Sequence, residues 1–239
     1  KDSLSKKRMK GIADTLNRGI IAAEKFIKAS LSTQEHLSQK PYTFYFRVDT
    51  FVSHASLANF VSIPYWRIKE GKAPWLHEAL HEMLSDRENN WFQKTVTDDY
   101  FNKNMPLWLS EGLPDYIAMK VSNRNKLAWY DVFSRSLNPN VDSVFTRDMK
   151  SKNGQYILAY IGAKGVMPEL SSKDRQQYAP GFYHGSCSFV QFIADHYGLE
   201  LLLDAISSFQ KEHETIEIKT GKSITELKNA WIKQIESRE

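Results

Sequence analysis

A chain of 239 residues with 41% hydrophobic and 25% charged residues can bury a core of useful size, which excludes a disordered chain. Its 32 basic and 28 acidic residues leave a charge of only +4, spread along the sequence, which argues against a nucleic-acid partner. Cys187 is the only cysteine, so an internal disulfide or a thiolate metal cluster is excluded, and no apolar run reaches the roughly 18–20 residues that span a bilayer.

Taken in chain order, residues Asp2 to about Ser38 carry Ile12, Leu16, Ile20, Ala23, Ile27 and Leu31 at helical spacing, which predicts a long amphipathic helix. "YTFYFRVD" (42–49) and "ANFVSIPYW" (58–66) have the aromatic and β-branched composition of strands in a small sheet. Pro64 favours an edge position for the second of them. "KEGKAP" (69–74) reads as a turn whose Pro74 leads into the helical stretch "WLHEALHEML" (75–84). Residues 86–105 show no clear period, and Pro106 starts a second helix through "LWLSEGLPDYIAMKV".

Residues 138–181 hold most of the loop signals, among them "NPN", "KNG" and "APG". Helix then returns: "GSCSFVQFIADHYG" ends on Gly198 as a C-cap, and "LELLLDAISSFQ" follows. Ser223 with Glu226 forms a capping box for a last helix with Leu227, Trp231 and Ile235 on its apolar face. The expectation is a helix-rich α+β fold: the long N-terminal helix, a small sheet and the two helices of the candidate site within 1–122, and a helical part over 123–239 that closes the active-site cleft, either as two parts or as one continuous domain.

The chemistry lies in "HEALH". On a helix His77 and His81 share a face and can aim both imidazoles at one point. Neutral imidazole is a good zinc ligand, with Zn–N distances of about 2.0–2.1 Å. Glu78 lies about 100° round the helix, off the metal yet near a water bound there. A metal lowers that water's pKa from 15.7 toward roughly 7, and the carboxylate takes its proton as it attacks a carbonyl. The bland alternative is a helix packed through Leu76, Leu80, Met83 and Leu84, with two exposed histidines and a solvated Glu82.

Two histidines and a water leave a tetrahedral site one protein ligand short, and here that ligand has to be His, Asp or Glu. "PLWLSEGLPDYIA" (106–118) offers Glu111, followed by Gly112, which gives a metal or a neighbouring helix room to approach. Asp115, four residues on, is placed to accept a hydrogen bond from a ligand imidazole.

"HEALH" followed by "WLSEGLPDYIA" resembles the gluzincin zinc metallopeptidases, most closely the peptidase-MA-like group, relatives of thermolysin and the zinc aminopeptidases. The resemblance implies a zincin-like catalytic domain with one zinc ion held by His77, His81 and Glu111, with Glu78 as general base and Asp115 supporting a histidine. "FYHGSCSFVQFIADHYG" and "GKSITELKNAWIKQI" are similar to the helical tail of such proteins. Pro114 stands where the family has alanine, and predicts a helix that starts around Ser110 or bends beside the metal. In the zinc aminopeptidases of the group it resembles, a tyrosine three residues before a glycine steadies the oxyanion; here that count from Gly185 lands on Phe182, with Tyr183 one position late, so the resemblance makes Tyr183 the first choice, with Tyr178 and His184 behind it.

The reading is therefore a zinc metallopeptidase acting on a peptide or protein. The strand at 58–66 would form the edge of its cleft, to which an extended substrate adds. The G-x-M-E-N sequence of zinc aminopeptidases is absent, which favours an endopeptidase. The chain opens at Lys1 without methionine, and with the family's habit this points to an exported protein. The competing readings are a catalytically silent peptidase-fold module that binds a protein or peptide, and a helical interaction protein without metal.

Overall fold

A computed structural model of the chain describes residues 4–31, 42–48, 53–56, 60–85, 105–127, 130, 140–150, 154–165, 172–208 and 210–238. They belong to two compact units, Lys1–Asp86 with Ile117–Pro139, and Arg87–Tyr116 with Asn140–Glu239. Among the described residues no helix is long and apolar enough to cross a membrane.

In the first unit helix α1 spans Lys6–Lys28 and buries Leu16, Gly19, Ala23 and Ile27 along one stripe. It begins where the Ser5 hydroxyl accepts from the Arg8 amide at 3.3 Å, and ends with Lys25 and Lys28 in the last turn, suited to the negative end of the helix dipole. The helix is thus shorter than the expected 2–38: it stops at Ala29, and residues 32–38 lie outside the described residues. Gly19 is required by packing, because a methyl there would sit 2.1 Å from the Trp75 indole.

Strands β1 (Thr43–Arg47), β2 (His54–Ser56) and β3 (Phe60–Pro64) form a sheet of order β1-β3-β2. β3 runs parallel to β1 and antiparallel to β2. Two expectations are overturned here. Pro64 does not mark an edge strand: β3 is central, and proline is accommodated as its last residue, opposite Arg47, where the ladder ends. Among the described strands β3 is central, so it is not the sheet edge to which an extended substrate was expected to add. The expected strand end at 66 gives way at Tyr65 to a short helix α2 (Tyr65–Glu70), closed by Gly71 at φ +72°, a conformation that favours glycine.

Helix α3 spans Trp75–Ser85 and packs against α1, β2 and β3. Leu76, Ala79, Leu80, Met83 and Leu84 are each exposed by 2% or less.

The second unit begins with helix α4 (Leu107–Asn125), which follows Pro106 as expected and lies in this unit through Tyr116. The later start proposed to accommodate Pro114 is overturned: the helix already runs from Leu107, and Pro114 falls in its third turn. There the proline has no N–H to give the Ser110 carbonyl.

The loop reading of 138–181 is overturned where these residues are described, while 138–139, 151–153 and 166–171 lie outside the described residues. Helices α5 (Val141–Met149) and α6 (Gly154–Tyr160) stand there, and α7 (Ser172–Tyr197) carries Pro180 inside it. Asn140 of "NPN" acts as a cap, its side-chain oxygen accepting from the Ser143 amide at 3.2 Å. α7 ends before Gly198, as expected, and α8 (Leu199–Ser207), α9 (Glu212–Thr220) and α10 (Ile224–Glu236) follow. The capping box of Ser223 and Glu226 is present, and Leu227, Trp231 and Ile235 are buried. Aromatic rings fill this unit's core: Trp231 stacks on Phe145 at 5.2 Å between centroids and touches Phe189 at 5.1 Å, which in turn meets Trp108 at 5.0 Å.

Candidate metal centre

α3 carries His77 and His81 one turn apart, and the turn brings their rings edge to face, 4.6 Å between centroids at 82°. Their Nε2 atoms are 3.0 Å apart. Two nitrogens each about 2.0–2.1 Å from one zinc ion at a near-tetrahedral angle stand roughly 3.3 Å apart, so this pair is within a few tenths of an ångström of the spacing a shared cation sets. Without a cation the same distance suits one ring donating an N–H to the other. Ligand atoms of His77, Glu78 and His81 all lie within 4.8 Å of one another.

Burial departs from the bland alternative. His77 is 1% exposed and Glu78 4%, while His81 is half-buried, so the pair does not decorate an open helix face. Glu82, expected to be solvated, is 3% exposed. It stands four residues after Glu78 on the same face, and that spacing on a helix buried on its other sides is the signal that would have found it.

The remaining expected residues stand in the second unit. Glu111 is half-buried on α4, and Asp115, one turn on, is fully buried. Gly112 answers which neighbour needs the room: a methyl there would lie 2.7 Å from the carbonyl carbon and oxygen of Ser186, so α4 meets the backbone of α7 directly. That crossing sets Gly112 against Ser186 and Val190 of α7. Tyr183 and Tyr178 are half-buried, His184 is 3% exposed, and Phe182, where the count from Gly185 lands, is a core residue at 1%.

His213 was not foreseen. The Trp108 indole N–H donates to its Nε2 at 3.2 Å, and because an indole can only donate, that nitrogen is an acceptor and the ring's proton is on Nδ1. Burial pushes His213 from 6.5 down to about 4, Lys164 adds to the drop and Glu217 opposes it. The contact anchors α4 one turn before Glu111. It joins residues 105 positions apart, and no local pattern announces it.

The structure thus brings His77, Glu78 and His81 together in the first unit, and places Glu111 and Asp115 on one helix of the second. No protein-family model matches the chain, and neither a curated protein nor a solved structure matches it significantly.

Proposed function

We propose that this chain is a zinc-dependent metallopeptidase of gluzincin type that hydrolyses peptide bonds within a peptide or protein substrate. The observation that carries the reading is the convergence of the His77 and His81 Nε2 atoms, 3.0 Å apart, with a Glu78 oxygen close by. The donor set fits zinc, being two imidazoles that present the same ring nitrogen from one rigid turn. In this reading His77, His81 and Glu111 hold the ion, and the zinc supplies Lewis acidity that makes water a nucleophile near neutral pH.

The chain's own residues do the rest. Glu78, on the turn that presents both imidazoles, takes the proton of the attacking water and passes it to the departing amine. Its burial keeps bulk water from competing for that proton. Asp115 orients a histidine ring, and Tyr183 donates to the oxyanion, Tyr178 and His184 being the alternatives for that role.

Glu78→Gln tests this. The variant should retain one zinc per chain by elemental analysis while cleavage of a mixed peptide library falls by about 10²–10⁴-fold. Purified wild-type protein without a stoichiometric divalent metal, or a Glu78→Gln variant that cleaves as fast as wild type, would refute it. Wild-type protein that holds zinc yet cleaves nothing would favour the silent binding module.

A further inference from the structure

Between α1 and the turn after α2, the first unit holds a cavity of about 370 Å³. This is within the range of small-molecule sites, roughly 300–1,000 Å³. Ile12, Leu16, Ile68 and Trp75 give it apolar walls. One cation borders it. Arg8 donates from a single guanidinium nitrogen to the carbonyls of Ile68, at 3.3 Å, and Lys69, at the end of α2. Those bonds hold the head group in place. Among the described residues its other two nitrogens make no hydrogen bond, and no carboxylate pairs with it.

Gly11 also lines the cavity, and it is a telling residue. A glycine inside a helix is less stable than alanine there by about 0.5–1 kcal/mol, which raises the question of what its missing side chain serves. At Gly19 the use is packing, since a methyl would strike Trp75. At Gly11 a Cβ would meet nothing within 4 Å. What the missing side chain leaves is open volume in the cavity wall.

We propose that this cavity binds a small amphipathic carboxylate, its apolar body against Ile12, Leu16, Ile68 and Trp75 and its carboxylate on the unused edge of the Arg8 guanidinium. Apolar walls bordered by one solvent-accessible cation select a ligand with one negative end. The site is separate from the metal reading and stands or falls without it.

Decanoate is the probe, titrated into the full chain by calorimetry and followed by tryptophan fluorescence, with Trp75→Phe identifying the reporter. Saturable binding of one decanoate per chain is expected, with the uncharged decanol about tenfold weaker. Arg8→Gln should remove the difference between the two. Gly11→Met, whose side chain has free space to enter, should abolish binding while the circular dichroism spectrum stays unchanged. The proposal is overturned if wild type does not bind decanoate saturably, if decanol binds as tightly, or if Gly11→Met binds as wild type does. Should Arg8→Gln fold poorly, the decanol and Gly11→Met measurements decide alone.

Discussion

Replacing Gly112 by alanine sets two effects against each other, and the structure says which wins. Alanine in a helix interior is favoured over glycine by about 1 kcal/mol. Against this, the new methyl lies 2.7 Å from two backbone atoms of Ser186, where ordinary contact is 3.4–4 Å, and 3.0 Å from Val190. A side chain can rotate away, but the backbone of α7 cannot, so the two helices must separate. Overpacking of this kind costs about 1–3 kcal/mol. Gly11→Ala is the matched control, with the same gain in helix propensity and nothing within 4 Å. The propensity effect cancels between the variants, and the difference of about 1–3 kcal/mol is the cost of the clash. Guanidinium denaturation followed by circular dichroism should show Gly11→Ala shifted up and Gly112→Ala shifted down. Because the two glycines belong to different units, hydrogen exchange read peptide by peptide assigns each change to its own unit. Equal shifts in one direction would refute the helix crossing at Ser186.

Gly19→Ala should destabilise the first unit on its own and much less in a Trp75→Phe background, because the atoms it strikes belong to the six-membered ring of the indole that phenylalanine lacks; a double-mutant cycle should return a coupling of about 0.5–3 kcal/mol, and additivity would contradict the contact. His213 predicts a pH dependence. Its folded pKa of about 4 lies below the ordinary histidine value of 6.5, so between these limits the unfolded chain binds the proton, and stability falls as pH drops through 6.5 and levels off below 4. At 1.36 kcal/mol per pH unit the loss is at most about 3 kcal/mol, and His213→Gln, which keeps an acceptor for Trp108, should flatten that part of the curve. If zinc binds at His77 and His81, a chelator should lower the melting temperature of wild type and leave His81→Ala unmoved; free zinc at 100 times its Kd contributes about 2.7 kcal/mol.

What the sequence made legible is what its neighbours in the chain decide. The capping box at Ser223, the start of α4 after Pro106 and the end of α7 at Gly198 each depend on a few adjacent residues. Pairing and packing do not. That β3 lies between β1 and β2 follows from contacts with strands on either side in sequence, and nothing in "FVSIP" announces it. The turn residues of 138–181 misled for a similar reason, since Asn and Gly mark helix ends as readily as loops. Asn140 caps α5, and Gly154 opens α6 where a Cβ would stand 2.1 Å from the Met149 carbonyl oxygen. Pro180 lies within α7, where the rest of a long helix outweighs one missing hydrogen bond.

The same division runs through the candidate site. Spacing alone tells that His77 and His81 face one point, because four residues make about one turn. It does not tell that α3 is enclosed on nearly every side, and that fact gives the motif its weight. In a helix of 11 residues, His77, Glu78 and Glu82 are each less than 5% exposed. A buried polar group costs stability unless it is paired, and a metal ion is one partner that such groups accept. Two imidazoles whose Nε2 atoms stand 3.0 Å apart with a carboxylate beside them can hold a metal ion, and their burial would shield an ion bound there from solvent, which is what the proposed function requires.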